Sequence, residues 1–483
     1  MKFKILVFIT VVGLSACRKE LLNPIPQASI SDAVAFETAD RTLAAVQGMY
    51  SSVKSGAFYA GRYYNYQDIR GEEFINETAN GVTNLQTWNF TVNSGTNEVN
   101  NLWNAAYAAI NRINVVLAGV DKSPISDALK NQYRGEARFL RALAYHSLVT
   151  IYARPYTDGN GSKPGVVIYT EPQTSQGDSK KERSTVAEVY TLILEDLNFA
   201  EANLPLTNAA PPSELNVVRA HKNAAIALKT RIYLHMGRYN DVITEANKIV
   251  TGTTSFKAGT GVQHELNSDV AAVFRSGLTL ENIFSFPFTS ADLPGTQNSL
   301  NSYYSPGSST ACTSCSGTGE YSLNATGNGI VANTGWTATD ARRTNFAQTI
   351  GTKTWLRKWT ANGDYVPVIR YSEVLLNLAE ALARTNGLDA KAIALLNAVR
   401  KRSDASTTLA PATQQALIDA ILIERRIELL GEGFRSRDLM RLGMAFPAKG
   451  TIGAVGYNEN LYIWPIPSGE VLVNTIIDQN PGY

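Results

Sequence analysis

Cysteine is scarce in this sequence. Cys17, Cys312 and Cys315 are the three present, too few for a disulfide framework, which excludes a small stapled fold. Histidine is nearly as rare. His146, His221, His235 and His264 stand apart in sequence, none in a metal-ligand spacing with another, so no histidine-bound metal is implied, and no cofactor is expected. Charge of one sign is missing too: 44 Lys and Arg against 42 Asp and Glu leave a net charge of +2. Such a balance gives no argument for nucleic acid or for an anionic membrane surface. No apolar run reaches the roughly 20 residues that a spanning helix needs. No nucleophile elbow, phosphate loop, dinucleotide fingerprint or HExxH motif occurs. What remains is a near-neutral chain of 483 residues, with length for a large core or for two or three domains.

One short apolar run is present, at the start. Met1–Lys4 carry two lysines, Ile5–Leu14 are almost wholly apolar, and Leu14-Ser15-Ala16-Cys17 follows. That order predicts a secretory signal peptide over 1–16. The small residues before Cys17 resemble a bacterial lipobox, in which the thiol is lipidated and becomes the first residue of the mature chain. Secretion with an incidental cysteine is the alternative. A single acyl chain anchors only marginally, whereas three would hold the protein on a membrane surface.

The other two cysteines form Cys312-Thr-Ser-Cys315, flanked by Ser, Thr and Gly. In an oxidising compartment a local loop disulfide is expected. A half zinc site or a redox pair are the alternatives, but partner ligands and an activating helix N-terminus are both missing around it.

Helical periodicity dominates the rest. Val99, Leu102, Ala106, Ile110, Ile113 and Leu117 mark a helix ended by Gly119, and another runs from about Ala128 to Tyr152, before Pro155. Thr185-Val-Ala-Glu188 is a capping box opening a helix whose apolar residues run from Val186 to Leu204, where Pro205 stops it. Leu234-His-Met-Gly237-Arg-Tyr239, with Ala246, resembles a tetratricopeptide helix pair, and a second pair is Ser372–Arg384 with Asp389–Arg402 through Gly387. The spacing is irregular, so degenerate helical hairpins are expected and not a regular solenoid. From about Gly252 to Asp364 the periodicity fades into Gly, Ser, Thr and Asn, with a strand-like run at Asn282–Phe288; Gly56–Phe90 has a similar texture. Long ordered loops or small sheets are predicted there, and loops on a rigid scaffold are where binding chemistry sits.

Charged residues cluster near the C-terminus: Glu424, Arg425, Arg426, Glu428, Glu432, Arg435, Asp438 and Arg441. Glu428 and Glu432, four apart, would share a helix face, and Arg425 and Glu428, three apart, could pair. Two nearby carboxylates could serve glycoside hydrolysis. An arginine within reach of each would lower its pKa and spoil it as a general acid. A structural salt-bridge network is the better account.

Taken in order, several blocks resemble the SusD/RagB family of nutrient-uptake surface lipoproteins. They are Cys17…Leu21…Pro24, Gly48-Met-Tyr50, Trp103…Tyr107…Ile110-Asn111…Asn114, Glu136-Ala-Arg138-Phe-Leu-Arg141 and Arg183-Ser-Thr-Val-Ala-Glu188. In the second half stand Arg370-Tyr371-Ser-Glu373, Ala379-Glu380-Ala381, Leu396-Asn397-Ala-Val-Arg400, Glu424-Arg425-Arg426, Glu432-Gly433-Phe434-Arg435, Trp464-Pro465-Ile466-Pro467 and Gln479-Asn480-Pro481-Gly482-Tyr483. The resemblance implies a mainly α, SusD-like fold. A tetratricopeptide-like helical domain over 17–251 would precede a C-terminal domain over 252–483, with minor β and a loop-rich ligand-binding insert at 252–364. It implies an outer-membrane, lipid-anchored protein facing the cell exterior. There it would capture oligosaccharides and pass them to a SusC-type TonB-dependent transporter, binding without turnover. Oligopeptide binding by the same fold, a purely structural adaptor and a surface hydrolase are the alternatives.

A sugar ring offers an apolar face to aromatic side chains and an edge of hydroxyls to polar ones. The first loop segment supplies Tyr63, Tyr64, Tyr66 and Trp88, and the second Tyr303, Tyr304, Tyr321 and Trp336. Trp88, Tyr64, Tyr303, Tyr304 and Trp336 are the candidate ligand contacts; the alternative for each is that it packs its own loop. Asn and Asp side chains in these loops could also supply oxygen ligands to a structural calcium.

Overall fold

The structure is a computed structural model that describes residues 34–173, 180–275 and 277–483. The expected signal peptide and Cys17 lie outside the described residues. Within them helix far outweighs strand, the mainly α fold that the periodicity and the resemblance imply.

The described residues open with α1 (Ala39–Val53), α2 (Arg62–Ile69), β1 (Phe74–Asn76) and α3 (Leu85–Asn89). The long helices α4 (Asn97–Gly119) and α5 (Asp127–Tyr152) follow, then α6 (Val186–Asn203), α7 (Leu215–Val218), α8 (Lys222–His235) and α9 (Tyr239–Ala246). Local chemistry sets their ends. At α6 the Glu188 N–H donates to the Thr185 hydroxyl at 3.2 Å while the Thr185 N–H donates to the Glu188 carboxylate at 2.7 Å, a complete capping box. Between α8 and α9 the chain reverses at Gly237, whose φ of 71° is left-handed and open to glycine at least cost.

The middle of the chain is less regular: α10 (Ala272–Arg275), β2 (Asn282–Phe286), α11 (Leu300–Tyr304), β3 (Tyr321–Leu323), α12 (Ala341–Phe346), β4 (Ala347–Ile350), β5 (Lys353–Leu356) and β6 (Val366–Arg370). β2 stops two residues short of the expected Phe288, at Pro287, which has no N–H to give a ladder. The last helices are α13 (Tyr371–Asn386), α14 (Ala390–Ser403), α15 (Gln414–Glu428), α16 (Arg435–Arg441) and α17 (Ser468–Val473).

The helices form a continuous pile. α4 lies against α1 and α5, α5 against α6, α6 against α8, α8 against α9, and α13 against α9, α14 and α15. One hydrophobic cluster runs through it from Ala35 to Ile477, so both halves feed the same core. Among the described residues two antiparallel sheets sit on this scaffold, β2 with β6 and a four-stranded sheet in the order β1-β3-β5-β4. In the larger one Phe74 faces Leu323 and Asn76 faces Tyr321, which stitches the two irregular segments together. Among the described residues no helix is long and apolar enough to cross a membrane.

The expectation of loops or small sheets over 56–90 needs correction. The segment contains α2, and every residue from Tyr63 to Ile69 is buried. A helix enclosed on all sides has no polar face, so it lacks the amphipathic period that betrays surface helices. Two of its polar residues find partners inside: Asn65 accepts from Asn84 at 2.6 Å, and Asp68 accepts from the Tyr304 hydroxyl and the Gly433 N–H, each at 2.9 Å.

Candidate functional site

The two irregular segments meet at the surface in a cleft of about 560 Å³. Glu72, just before β1, forms its floor with Arg426 from the last turn of α15; Gly327–Gly329 and Ala332–Thr334 form the walls and Pro447 the rim. Backbone pairing fixes this junction. The Asn324 N–H donates to the Glu73 carbonyl at 2.7 Å, the Asn324 amide to the Glu72 carbonyl at 2.9 Å, and the Ile330 N–H to the Glu73 carboxylate at 2.7 Å.

The floor is an ion-pair cluster. Arg426 Nε meets Glu73 at 2.7 Å, and one terminal nitrogen meets Glu72 at 3.0 Å and the Asn328 carbonyl at 2.7 Å. Arg435 meets Glu72 at 2.6 Å. Burial pushes the Glu72 carboxyl up, but Arg435 and Arg426 outweigh it and hold the group below its ordinary range. Burial wins at Glu73, which Arg426 offsets only in part, so that carboxyl sits above its ordinary range. Along the walls the exposed Asn328 amide and Thr334 hydroxyl make no bond within the protein, while Asn333 spends its oxygen on the Gly335 N–H at 2.8 Å. The cleft offers neutral donors and acceptors above a neutralised floor. No aromatic side chain lines it.

The five candidate aromatic contacts are placed elsewhere than expected. All are in the interior, with 7% or less of their surface exposed. Each ring packs, and four of the five also spend their polar atom on the protein. Trp88 donates its indole N–H to the Phe74 carbonyl at 3.2 Å, and the turn at Gly450 covers it. A Cβ at Gly450 would stand 3.3 Å from the ring, a tight contact, and its φ of 51° is left-handed, so glycine is favoured there. Tyr64 donates to the Pro367 carbonyl at 3.1 Å and Tyr303 to the Gln297 carbonyl at 2.6 Å. Tyr304 bonds Asp68 and stacks on Phe74 with centroids 4.6 Å apart. Trp336 closes the turn that begins at Asn333 and lies under the Arg343 guanidinium, 5.4 Å from its centroid. Among the described residues no Trp, Tyr or Phe is exposed, so a fully open stacking platform is not present in this structure.

The C-terminal charges form the expected network, with different partners. Arg425 bonds Asp438 at 3.1 Å and Asn377 at 2.6 Å, not Glu428. Glu428 instead receives Arg342 at 2.9 Å, Arg370 at 2.8 Å and Arg402 at 2.6 Å. Arg370 also binds Glu281 at 2.6 Å and Glu432 at 2.7 Å, and Lys358 completes Glu432 at 2.7 Å. Burial works to raise the Glu428 carboxyl, yet the surrounding Arg402, Arg370 and Arg342 hold it well below its ordinary range. A group locked ionised in this way cannot lend a proton as a general acid.

Sequence spacing also hid two histidine pairs. His146 and His235 share a hydrogen bond of 2.9 Å, and His221 stacks on His264 with centroids 5.2 Å apart. All four are buried, and burial lowers their pKa values, to about 3 for His221 and about 4 for His264. No group of three His, Cys, Asp or Glu fit for a metal occurs among the described residues. Cys312 and Cys315 are joined as a disulfide.

A second cleft, of about 650 Å³, lies between Arg154–Pro164, Arg183 and the C-terminal Asn458–Pro481 stretch. It draws on neither irregular segment, and the first cleft is therefore the stronger candidate.

Comparison with known proteins agrees with this architecture. The model of the SusD family matches residues 297–483, and a model described as starch-binding and associating with the outer membrane matches residues 32–234. The crystal structure of a SusD superfamily protein from Bacteroides fragilis is 32% identical, with a TM-score of 0.81 over 92% of this chain and 100% of that one. A SusD-like protein of Formosa agariphila is 24% identical over 99% of this chain and 98% of its own length. A laminarin-binding SusD-like protein shares the fold at 23% identity, with a TM-score of 0.73 over 93% of this chain and 100% of that one.

Proposed function

Because the chain belongs to the SusD family, we propose that it captures oligosaccharides at the cell surface and hands them to a SusC-type TonB-dependent transporter. The observation that carries this reading is the cleft where the two irregular segments meet. Its walls present an unspent amide at Asn328, an amide donor at Asn333 and a hydroxyl at Thr334, the groups that match the hydroxyl edge of a sugar. The starch-binding description of the family model and the laminarin-binding neighbour of the same fold support a carbohydrate ligand.

In this reading the five aromatic candidates are supports. Trp88 and Trp336 brace the turns beside the cleft from beneath, and Tyr304 ties α2 to α11 through Asp68. Without an open stacking face, affinity comes from several modest hydrogen bonds of about 0.5–1.5 kcal/mol each, and weak capture suits a protein that must release its cargo. A lipid on Cys17 would hold the protein at the outer membrane beside its transporter. No catalytic step is assigned, since the carboxylates near the cleft are engaged by arginine.

Calorimetric titration of the purified mature protein with plant, algal and microbial oligosaccharides, and in parallel with oligopeptides, tests the proposal. Sugar binding is the expected result. Binding of peptides alone would replace the reading by peptide capture, and release of reducing ends on prolonged incubation would replace it by hydrolysis.

A further inference from the structure

We infer that the cleft selects uncharged oligosaccharides and discriminates against uronate-containing and sulfated ones. The inference rests on the carbohydrate reading above and concerns the charge of the floor.

Glu72 and Arg426 are the two charged residues that line the cleft. Behind them stand Glu73 and Arg435, both bonded into the same cluster. Two carboxylates and two guanidiniums thus cancel. A sulfate or uronate gives up strong hydration on binding and needs an unneutralised cation, best a guanidinium offering two parallel N–H groups. Arg426 cannot present that fork freely. Its Nε is held by Glu73, and one terminal nitrogen is shared between Glu72 and the Asn328 carbonyl. An anion reaching the remaining nitrogen would approach the Glu72 carboxylate as well, and like charges repel at that range. A neutral sugar meets neither cost. It exchanges water for Asn328, Asn333 and Thr334, whose donors and acceptors carry no net charge.

The preference is therefore encoded in the pairing of Glu72 with its arginines, and it is reversible by adding one cation at the rim. Thr334 suits this, being exposed and unbonded within the protein. The experiment measures the affinity of the mature protein for a set of neutral hexaoses (β-1,3- and α-1,4-glucose, β-1,4-xylose) and for oligogalacturonate and a sulfated galactan oligomer. The same set is run on Thr334→Lys and on Glu72→Gln. For the unaltered protein, neutral binding at least tenfold tighter than charged binding is expected. Thr334→Lys should raise affinity for the charged oligomers about tenfold, and Glu72→Gln, by unmasking Arg426 and Arg435, should do the same. Should Glu72→Gln fail to fold, Thr334→Lys carries the test alone. Charged oligomers bound as tightly as neutral ones by the unaltered protein would overturn the inference while leaving sugar capture standing. An unchanged preference in Thr334→Lys would remove the cleft as its seat. Failure of every sugar to bind would overturn the carbohydrate reading itself.

Discussion

Two clusters in this protein use the same chemistry in different surroundings. Around Arg370, carboxylates from β6's neighbourhood, α15 and the turn after it converge on Arg342, Arg370 and Arg402, with side chains 5% exposed or less. Around Arg426, two glutamates and two arginines do likewise, but Arg426 keeps 17% of its side chain in solvent and forms the floor of a cleft. Residue type and pairing do not separate them. Access does: the first cluster can only hold helices together, whereas the second also meets whatever enters the cleft. A carboxylate beside an arginine is a strut or a recognition surface according to what lies over it.

Breaking the inner cluster should have the largest effect. Arg370→Ala leaves Glu281, Glu428 and Glu432 each short of a partner in the interior, and losing one member of a buried set costs about 3–5 kcal/mol. Urea unfolding would show the midpoint fall accordingly. A loss below about 1 kcal/mol would mean that the cluster is dispensable and that the contrast with the cleft is one of position alone.

Acid should separate the scaffold from the cleft next. The buried histidine pairs have folded pKa values depressed from the ordinary 6.5, so their contribution is intact above pH 6.5 and drains as pH falls from there towards about 4. Each can remove up to about 1.4 kcal/mol per pH unit. Asp68 opposes them. Its pKa is raised to about 8, chiefly by burial, so the stability it adds is full below the unfolded value near 3.9 and is lost as pH rises through 8. Burial raises the carboxyls of Glu73, Glu98, Glu136 and Asp196 in the same sense as Asp68, so an unfolding free energy that drops between pH 6.5 and 5.5 is the signature of the histidines alone. No histidine lines the cleft, so a change in oligosaccharide affinity over the same unit would report the raised Glu73 carboxyl that holds Arg426, not the histidines. An affinity that fell in step with stability would tie the cleft to the scaffold's titration and erase the distinction.

Legibility in the sequence follows the same line between local and tertiary causes. Helix ends were readable because caps and stops are local: Thr185 with Glu188, Gly119 and Pro205 mark them where the structure has them. That the C-terminal charges pair was readable from their density. Their partners were not, since Arg425 ignores Glu428 three residues away for Asp438 and for Asn377 on another helix. The aromatics misled for a related reason. Composition marks a segment as irregular but does not say which side of it faces solvent, and the Gly450 turn that roofs Trp88 lies more than 360 residues along the chain. The cleft itself is assembled from Glu72, Asn328 and Arg426, which no spacing rule connects.

The smallest expected change in stability marks the site most sharply. Asn328→Ala removes an exposed amide that bonds nothing in the protein, while the backbone carbonyl that holds Arg426 stays. Unfolding free energy should stay within about 0.5 kcal/mol of the unaltered protein, as for other surface substitutions. If the amide binds a sugar hydroxyl, affinity should nevertheless fall about tenfold, worth ~1.4 kcal/mol. Arg370→Ala would then cost stability as a strut does, and Asn328→Ala would cost binding with the scaffold untouched. Calorimetry and unfolding on the same two preparations read both quantities. A silent Asn328→Ala in a protein that does bind sugar would move recognition away from this wall of the cleft, and the second cleft beside Arg183 would become the place to test.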